Sequence, residues 1–195
     1  MQMKKVFYII LAVSLLLNVA FLAIPEYFQR PIGKFIIINK GNQKLSVHSE
    51  YGTIIEEFDV STGSNAGNKI RSGDSKTPEG VFSLINIEDA LSWKYDFDDG
   101  AGPVSGAYGP FFLRLNVNKD RIFKNVSDPF VFSQDDKFKG IGIHGTHDNS
   151  QIGHRASHGC IRLKNKDLLV LKEHVFLGMQ VIILPGYNDY LENGL

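Results

Sequence analysis

The chain has 195 residues, of which 43% are hydrophobic and 22% charged, and its formal net charge is zero. This composition is typical of an ordinary globular domain, and it excludes proteins that bind nucleic acid through a broad basic surface. The 19 Gly and 14 Phe favour a β-rich domain with aromatic strands and tight turns.

The N-terminal segment predicts a membrane-anchoring or signal helix. Lys4 and Lys5 precede an apolar stretch over residues 6–24, which only Ser14 and Asn18 interrupt. As a helix this stretch spans roughly 28 Å, close to the hydrocarbon thickness of a bilayer, and the lysines favour an N-in, C-out orientation. Because small residues do not mark a clean cleavage site, an uncleaved anchor is favoured over a cleaved signal, and a buried core helix is the third alternative. Both favoured interpretations place the following domain outside the cytoplasmic membrane.

The first half of the predicted domain consists of short strands joined by turns. Its predicted elements are, in chain order, strands at 35–38, 45–48 and 53–60, a polar loop at 61–76, a turn at 77–80 and a strand at 81–85. The first three strands have Gly in their turns and predict an antiparallel meander.

The second half combines a long irregular stretch, further strands and one helix. Its predicted elements are, in chain order, an irregular stretch at 88–109, a strand at 111–115, a strand over 138–143 that ends at His144, a polar connection at 148–156, the Cys160 segment, a helix at 166–177 and a strand at 180–184. The irregular stretch predicts a lid, a binding loop or a disordered excursion. Asn165 is the predicted N-cap of the helix, and Gly178 its C-terminal stop.

The predicted organisation has three parts. Residues 1–30 are the membrane anchor or signal segment with its linker, residues 31–186 are the folded domain, and residues 187–195 are a C-terminal tail.

Cys160 is the only cysteine of the chain and lies in the string Ser157-His158-Gly159-Cys160. It has no partner for an internal disulfide, and a thiol with histidines nearby has the parts of a cysteine nucleophile. A free thiol is mostly protonated at neutral pH, so a histidine has to take its proton, which predicts a thiolate–imidazolium pair. His144 is the preferred base, because at a strand end its other ring nitrogen can donate to a backbone carbonyl.

The residues beside the cysteine are expected to shape the site. His158 lies two positions from Cys160, and in an extended strand such positions face the same side. Gly159 lets the backbone turn closely, so that N–H groups around Cys160 face a developing oxyanion.

Two other interpretations of these residues stay open. Cys160 taken alone is most often an inert, small buried residue. The second alternative is a zinc site, although its spacings match no standard site. The candidate ligands for zinc are His144, His147, His154, His158 and Cys160. His48 and His174 are expected to be structural.

His144-Gly145-Thr146 followed by Ser157-His158-Gly159-Cys160-Ile161-Arg162 resembles the active-site signature of the YkuD-type L,D-transpeptidase family. The resemblance extends to Thr77-Pro78-Glu79-Gly80-Val81-Phe82 and to Tyr108-Gly109-Pro110, and it covers residues 35–184. It implies a mainly β fold, the catalytic-domain β-sandwich with one or two short helices, after the N-terminal transmembrane or signal helix.

The resemblance also implies an activity. The cysteine attacks the third residue of a peptidoglycan tetrapeptide stem, D-alanine leaves, and a thioester forms. An amine of a neighbouring stem or of an envelope protein then takes the acyl group. The expected location is the bacterial cell envelope, on the periplasmic or extracytoplasmic face and anchored in the cytoplasmic membrane. No cofactor, metal or nucleic acid is expected.

Roles for individual residues follow from the same resemblance. Cys160 is the expected nucleophile and His144 the base, and His158 and Gly159 flank the nucleophile. The expected substrate-binding residues are Arg162, Ser157, Gly145, Tyr108 and Trp93. Gly145 supplies the carbonyl that orients His144, Arg162 can hold a substrate carboxylate, and Trp93 and Tyr108 are expected as apolar walls of a lid over 88–109.

Two alternative functions remain. With water as the acceptor, the same chemistry makes the protein an L,D-carboxypeptidase or a hydrolase of peptidoglycan–protein links. A protein that kept only the fold is a non-catalytic peptidoglycan-binding module, although such a binder gains nothing from an activated thiol.

Overall fold

The computed structural model describes residues 33–96, 100–117 and 140–186, and its main feature is an eight-stranded sheet. The strands of the described residues are β1 Phe35–Asn39, β2 Lys44–His48, β3 Ile54–Asp59, β4 Thr62–Gly63, β5 Gly80–Asp89, β6 Lys94–Tyr95, β7 Val104–Ser105, β8 Phe111–Leu115, β9 Gly142–His144, β10 Arg155–Ser157, β11 Ile161–Arg162 and β12 Gln180–Leu184. The sheet has the order β11-β9-β8-β5-β12-β1-β2-β3, and β4–β10 and β6–β7 form two small two-stranded sheets.

The predicted meander is present at one end of the sheet. β1 pairs antiparallel with β2, and β2 pairs antiparallel with β3. β12 returns from the end of the domain and pairs parallel with β1. Alternation along these strands turns every second side chain into the core, because successive side chains of a strand point to opposite faces. The core residues of these strands include Ile36, Ile38, Leu45, Val47, Val181 and Ile183.

β5 joins the meander to the half of the sheet that carries Cys160. Its first residues pair with β12, and its later residues pair with β8. The register shifts between Leu84 and Asn86, and a bulge of this kind bends a strand and increases its twist. The sheet therefore curls at β5, and the described residues form one curled sheet with two small accessory sheets. This confirms the predicted mainly β fold, and the sandwich architecture stays a prediction.

One helix, α1 Asn165–Lys172, lies among the described residues, together with a 3₁₀ turn at Asn149–Gln151. Leu168 and Leu171 of α1 are fully buried in the core, as the helical spacing predicted. The predicted cap was wrong: Lys164 is the N-cap and Asn165 is the first helical residue. The helix also ends before the predicted residue 177, and Gly178 lies in the turn before β12.

Several predicted loops contain short strands that local sequence did not reveal. β4 lies within the predicted loop 61–76, β6–β7 lie within the irregular stretch 88–109, and β10 begins at the end of the connection 148–156. Each pairs with a partner distant in the chain or across a long loop, so the pairing depends on tertiary context. β5 also continues past the predicted end to Asp89.

The predicted anchor at residues 6–24 and the predicted tail at 187–195 lie outside the described residues. Within the described ranges, no helix is sufficiently long and apolar to cross a bilayer.

Candidate active site

The candidate site lies where three strands meet at the β11 end of the sheet. β9 pairs antiparallel with β8, and this register places His144 opposite Phe112. On its other side β9 pairs parallel with β11, which places His144 opposite Arg162. Cys160 immediately precedes β11. This pairing brings the two halves of the sequence signature together, as the sequence predicted.

Alternation sorts the residues of these strands between core and site. Ile143 and Ile161 are fully buried core residues, so their neighbours Arg162 and His144 face the opposite side. Phe112 shares that side, because its ring stacks on the ring of His144 at 5.5 Å between centroids. Ile161 pairs with Ile143, and Cys160 directly precedes Ile161. Cys160 therefore lies diagonally across from His144 of the neighbouring strand.

Cys160 is held in a tight bend between β10 and β11. Gly159 has a φ of +127°, and a Cβ on it would lie 2.9 Å from the Lys76 carbonyl oxygen, so only glycine fits. Ser157 is fully buried, its hydroxyl donates to the Cys160 carbonyl at 2.5 Å, and it accepts from the Gly159 amide at 3.0 Å. The bend turns the chain away from the extended strand assumed for His158.

His144 is buried, and its ring orientation is defined by one hydrogen bond. Its Nδ1 lies 2.7 Å from the carbonyl oxygen of Gly145. A carbonyl can only accept, so Nδ1 carries the proton and Nε2 is left with its lone pair. This is the orienting contact that was expected of Gly145. The Gly145 amide donates in turn to the Tyr108 carbonyl at 2.8 Å, which ties the strand end to the preceding loop.

The thiol of Cys160 donates to the Gly140 carbonyl at 3.2 Å. In the part of the chain that the structure describes, no hydrogen bond joins it to His144. The residue is half-buried and free of any disulfide. The thiol and the imidazole are thus each hydrogen-bonded to a backbone carbonyl, and Cys160 also packs against the hydrophobic core cluster.

Burial shifts both pKa values away from those of an ion pair. It lowers the pKa of His144 to about 3, a shift that the Gly145 hydrogen bond opposes and the charge of Arg162 increases. It raises the pKa of Cys160, although the Gly142 amide and the charges of Arg162, Lys69 and Arg114 lower that pKa in part. Both shifts favour a neutral thiol and a neutral imidazole without substrate, and the thiolate–imidazolium pair stays a prediction for the substrate-bound site.

An aromatic wall, defined as Trp93, Tyr95, Tyr108 and Phe112, covers one side of His144. Tyr108 lies 5.0 Å from the imidazole between ring centroids, and Trp93 packs on Tyr108 at 5.5 Å and on Phe112 at 5.6 Å. These contacts exclude water from the ring and explain its burial. Trp93 and Tyr108, which were predicted as apolar walls of a lid over 88–109, thus pack around His144 and Phe112.

His158 and Arg162 differ in position. His158 is exposed, and its Nδ1 lies 3.0 Å from the hydroxyl of Tyr95. Arg162 is half-buried, and its Nη1 donates to the Ala156 carbonyl at 3.5 Å. Burial lowers the pKa of Arg162. Several nearby groups oppose this shift, and Cys160 has the largest effect among them, so the guanidinium lies within electrostatic reach of the thiol. Its place beside the thiol suits a group that binds a carboxylate.

Some residues of the site were not predicted from the sequence. Phe112 was assigned only to a strand, and Tyr95 only to an irregular stretch. Thr77 lies close to the nucleophile through its hydroxyl bond to the Gly159 carbonyl at 2.9 Å, and the charge of Lys69 lowers the pKa of the Cys160 thiol. The Thr-Pro-Glu-Gly string was the only local signal for this contact.

The zinc interpretation receives no support from the described residues. Among them, no group of three or more His, Cys, Asp or Glu side chains is placed to hold a metal ion. His147 and His154, two of the candidate ligands, are exposed.

Comparison with known proteins identifies the class that this fold and site define. A family model described as the L,D-transpeptidase catalytic domain (YkuD) matches residues 33–183. The chain therefore belongs to this family, which confirms the resemblance in the sequence motifs.

Individual relatives agree with the family. Probable L,D-transpeptidase YbiS of Escherichia coli K12 is 54% identical over 39 residues, which cover 20% of this chain and 13% of that protein. Putative L,D-transpeptidase YqjB of Bacillus subtilis is 24% identical over 165 residues, which cover 83% of this chain and 77% of that protein. This chain thus spans only a small part of the first relative.

A solved structure of an L,D-transpeptidase from Mycobacterium smegmatis shares the fold. It aligns with a TM-score of 0.53 and 15% sequence identity over 77% of this chain and 58% of that chain. At this identity the likeness describes the architecture alone.

Proposed function

We propose that the protein is a cysteine L,D-transpeptidase that acts on peptidoglycan stem peptides through a thioester on Cys160. The observation that carries the proposal is the pairing of β9 with β11, which brings the segment of Cys160 next to the strand of His144, with the imidazole oriented by Gly145 so that Nε2 is the basic nitrogen. Membership of the L,D-transpeptidase family supports it.

The proposed first half-reaction forms the acyl-enzyme. Nε2 of His144 takes the thiol proton as the sulfur attacks the carbonyl carbon of the third stem residue. The tetrahedral intermediate collapses, the C–N bond to D-alanine breaks, and the imidazolium gives its proton to the leaving amine. With a neutral thiol and a neutral imidazole as the starting state, this proton transfer belongs to the acylation step.

The second half-reaction returns the thiol. An acceptor amine attacks the thioester carbonyl, the C–S bond breaks, and the amine proton passes through His144 to the sulfur. Arg162 is proposed to bind a carboxylate of the stem, and Tyr108 and Trp93 to form the apolar wall of the donor site. We place the protein on the extracytoplasmic face of the cell envelope, where such substrates occur, with residues 6–24 as its membrane anchor.

The test uses the purified full-length chain in detergent with a disaccharide-tetrapeptide, read by mass spectrometry. The wild type should release D-alanine and form 3→3-linked dimers, and Cys160→Ala should do neither. His144→Ala should slow acylation by about 10²–10⁴-fold. The matched control is His154→Ala, which alters an exposed histidine outside the site and should keep wild-type activity. Dimer formation that survives in Cys160→Ala would refute the proposal.

Two further measurements separate the alternatives. Product that accumulates only as trimmed tripeptide, with an amine acceptor present, assigns the chain to the L,D-carboxypeptidases. Incubation with a carbapenem followed by intact mass should give one adduct on Cys160. An unmodified protein that still binds peptidoglycan would assign it to the non-catalytic binders.

A further inference from the structure

The backbone amides of Gly159 and Cys160 differ in their hydrogen bonding. The Gly159 amide donates to the Ser157 hydroxyl at 3.0 Å and is therefore occupied. The Cys160 amide has no hydrogen-bond acceptor among the residues that the structure describes. An open backbone donor on the nucleophilic residue itself is suited to a developing oxyanion, because the attacked carbonyl carbon lies beside its sulfur.

The direction of the Cys160 amide is set by the carbonyl of the preceding residue. The peptide bond between Gly159 and Cys160 is planar and trans, so its C=O and N–H point in opposite directions. The Gly159 carbonyl accepts a hydrogen bond from the Thr77 hydroxyl at 2.9 Å. The Cys160 N–H therefore points away from Thr77.

The Thr77 hydroxyl has a defined orientation. It accepts from the Gly63 amide at 2.8 Å, so its own proton is directed to the Gly159 carbonyl. Thr77 is fully buried, which shields these bonds from solvent. A Cβ on Gly63 would lie 2.7 Å from the Thr77 amide nitrogen, so glycine is needed for this close approach.

We propose that Thr77 is a positioning residue that aims the Cys160 N–H at the oxyanion, through its hydrogen bond to the Gly159 carbonyl. Thr77 would act through the backbone, because its hydroxyl bonds the Gly63 amide and the Gly159 carbonyl. The inference rests on the proposed function in one respect, the use of Cys160 as an acyl acceptor. It adds the residue that orients the Cys160 amide, and it assigns no oxyanion contact to the Gly159 amide, which is occupied.

The experiment compares acylation with alkylation of Cys160 in the full-length chain in detergent. Acylation by p-nitrophenyl acetate passes through an oxyanion, whereas alkylation by iodoacetamide at the same sulfur does not. Thr77→Val keeps the shape of the side chain and removes both hydrogen bonds, and Thr77→Ser keeps them. Thr77→Val should slow acylation about 10–100-fold, with alkylation within about two-fold of the wild type and the loss in kcat rather than KM for the tetrapeptide. Thr77→Ser should restore wild-type rates.

Each outcome decides the question. Equal losses of acylation and alkylation in Thr77→Val, or unchanged acylation, overturn the inference, since a general loosening affects both reactions. If circular dichroism shows that Thr77→Val does not fold, Thr77→Ala takes its place. In addition, the acetyl thioester of the wild type is examined by infrared spectroscopy. In the folded wild type, its carbonyl band should lie at lower frequency than in the urea-unfolded acyl-enzyme, and an equal frequency overturns the inference. A wild type that is acylated by p-nitrophenyl acetate but inactive on the tetrapeptide refutes the proposed function and leaves the Thr77 comparison valid.

Discussion

Burial of a neutral His144 should make the stability of the domain depend on pH. In the folded chain its pKa is lowered from 6.5 to about 3, with burial as the main cause. In the unfolded chain the imidazole is solvated and takes up a proton below about pH 6.5. The unfolded state then binds more protons than the folded state, so stability is lost as pH falls from about 6.5 towards 3 and is fully present above that range.

The size of the effect follows from proton linkage. With these two pKa values, one group lowers the free energy of unfolding by about 2 kcal/mol between pH 7.5 and pH 5.0, and by about 5 kcal/mol once pH is below 3. For a urea m-value of about 2 kcal/mol/M, the change at pH 5.0 moves the midpoint by about 1 M.

The perturbation is His144→Gln, which keeps a hydrogen-bond donor for the Gly145 carbonyl and cannot become charged. Urea unfolding of the wild type and the variant at pH 7.5 and 5.0 gives four free energies. The loss between the two pH values should be about 2 kcal/mol larger in the wild type, since other titrating groups are common to both chains. Cys160→Ser, which keeps the imidazole, is the matched control and should lose stability like the wild type. Equal losses in wild type and His144→Gln would refute a buried, neutral His144.

Two other predictions concern the thiol and a buried ion pair. Burial raises the pKa of Cys160, so the rate of its alkylation by iodoacetamide should still rise with pH above about pH 9. Free cysteine, with a pKa near 8.5, has passed the midpoint of its titration at that pH. A midpoint of the rate profile below about pH 7 would contradict the prediction. Lys40 and Glu79 form a buried ion pair at 2.6 Å, so Lys40→Met should destabilise the domain by about 3–5 kcal/mol in urea unfolding and Lys40→Met with Glu79→Leu by much less. A double variant as unstable as the single one would show that the unpaired carboxylate is not the cause.

The sequence predicted the parts of the fold that depend on local pattern. The meander, the strand that ends at His144 and the two buried leucines of α1 all follow from side-chain periodicity, which the structure preserves. The short strands β4 and β10 did not follow, because two or three residues have too little periodicity and their pairing joins distant parts of the chain.

Asn165 shows how tertiary contacts override a local rule. Its position and type predicted a helix N-cap. In the structure its Oδ1 instead accepts from the Thr146 amide at 3.0 Å, and the side chain lies between Gly109 and Gly145. A Cβ on Gly109 would lie 2.7 Å from the Gly145 Cα, so the two loops meet at their glycines. This contact stabilises the turn after His144, and no spacing in the sequence indicated it.

The sequence predicted that the segments of Cys160 and His144 meet, but not the electrostatics around them. The signature placed Cys160 and His144 together, and the pairing of β9 with β11 agrees. The charge states depend on how deeply the aromatic wall buries the imidazole, and that wall is assembled from β8 and from residues of a stretch without periodicity. Burial is a property of the assembled fold, so the sequence alone could not distinguish the neutral pair from the ion pair.

If the thiol and the imidazole are neutral before the reaction, catalysis depends on groups that stabilise the charges formed during it. The cations Arg162, Lys69 and Arg114 lower the pKa of the Cys160 thiol, yet burial outweighs them. They therefore favour the thiolate without making it the resting state, and each pKa unit by which they do so is worth about 1.4 kcal/mol when the sulfur loses its proton. The Cys160 amide, directed by Thr77, would act on the oxyanion at the same moment. Such fixed groups need no rearrangement during attack, which is why their positions, more than the resting pKa of the thiol, should govern the rate.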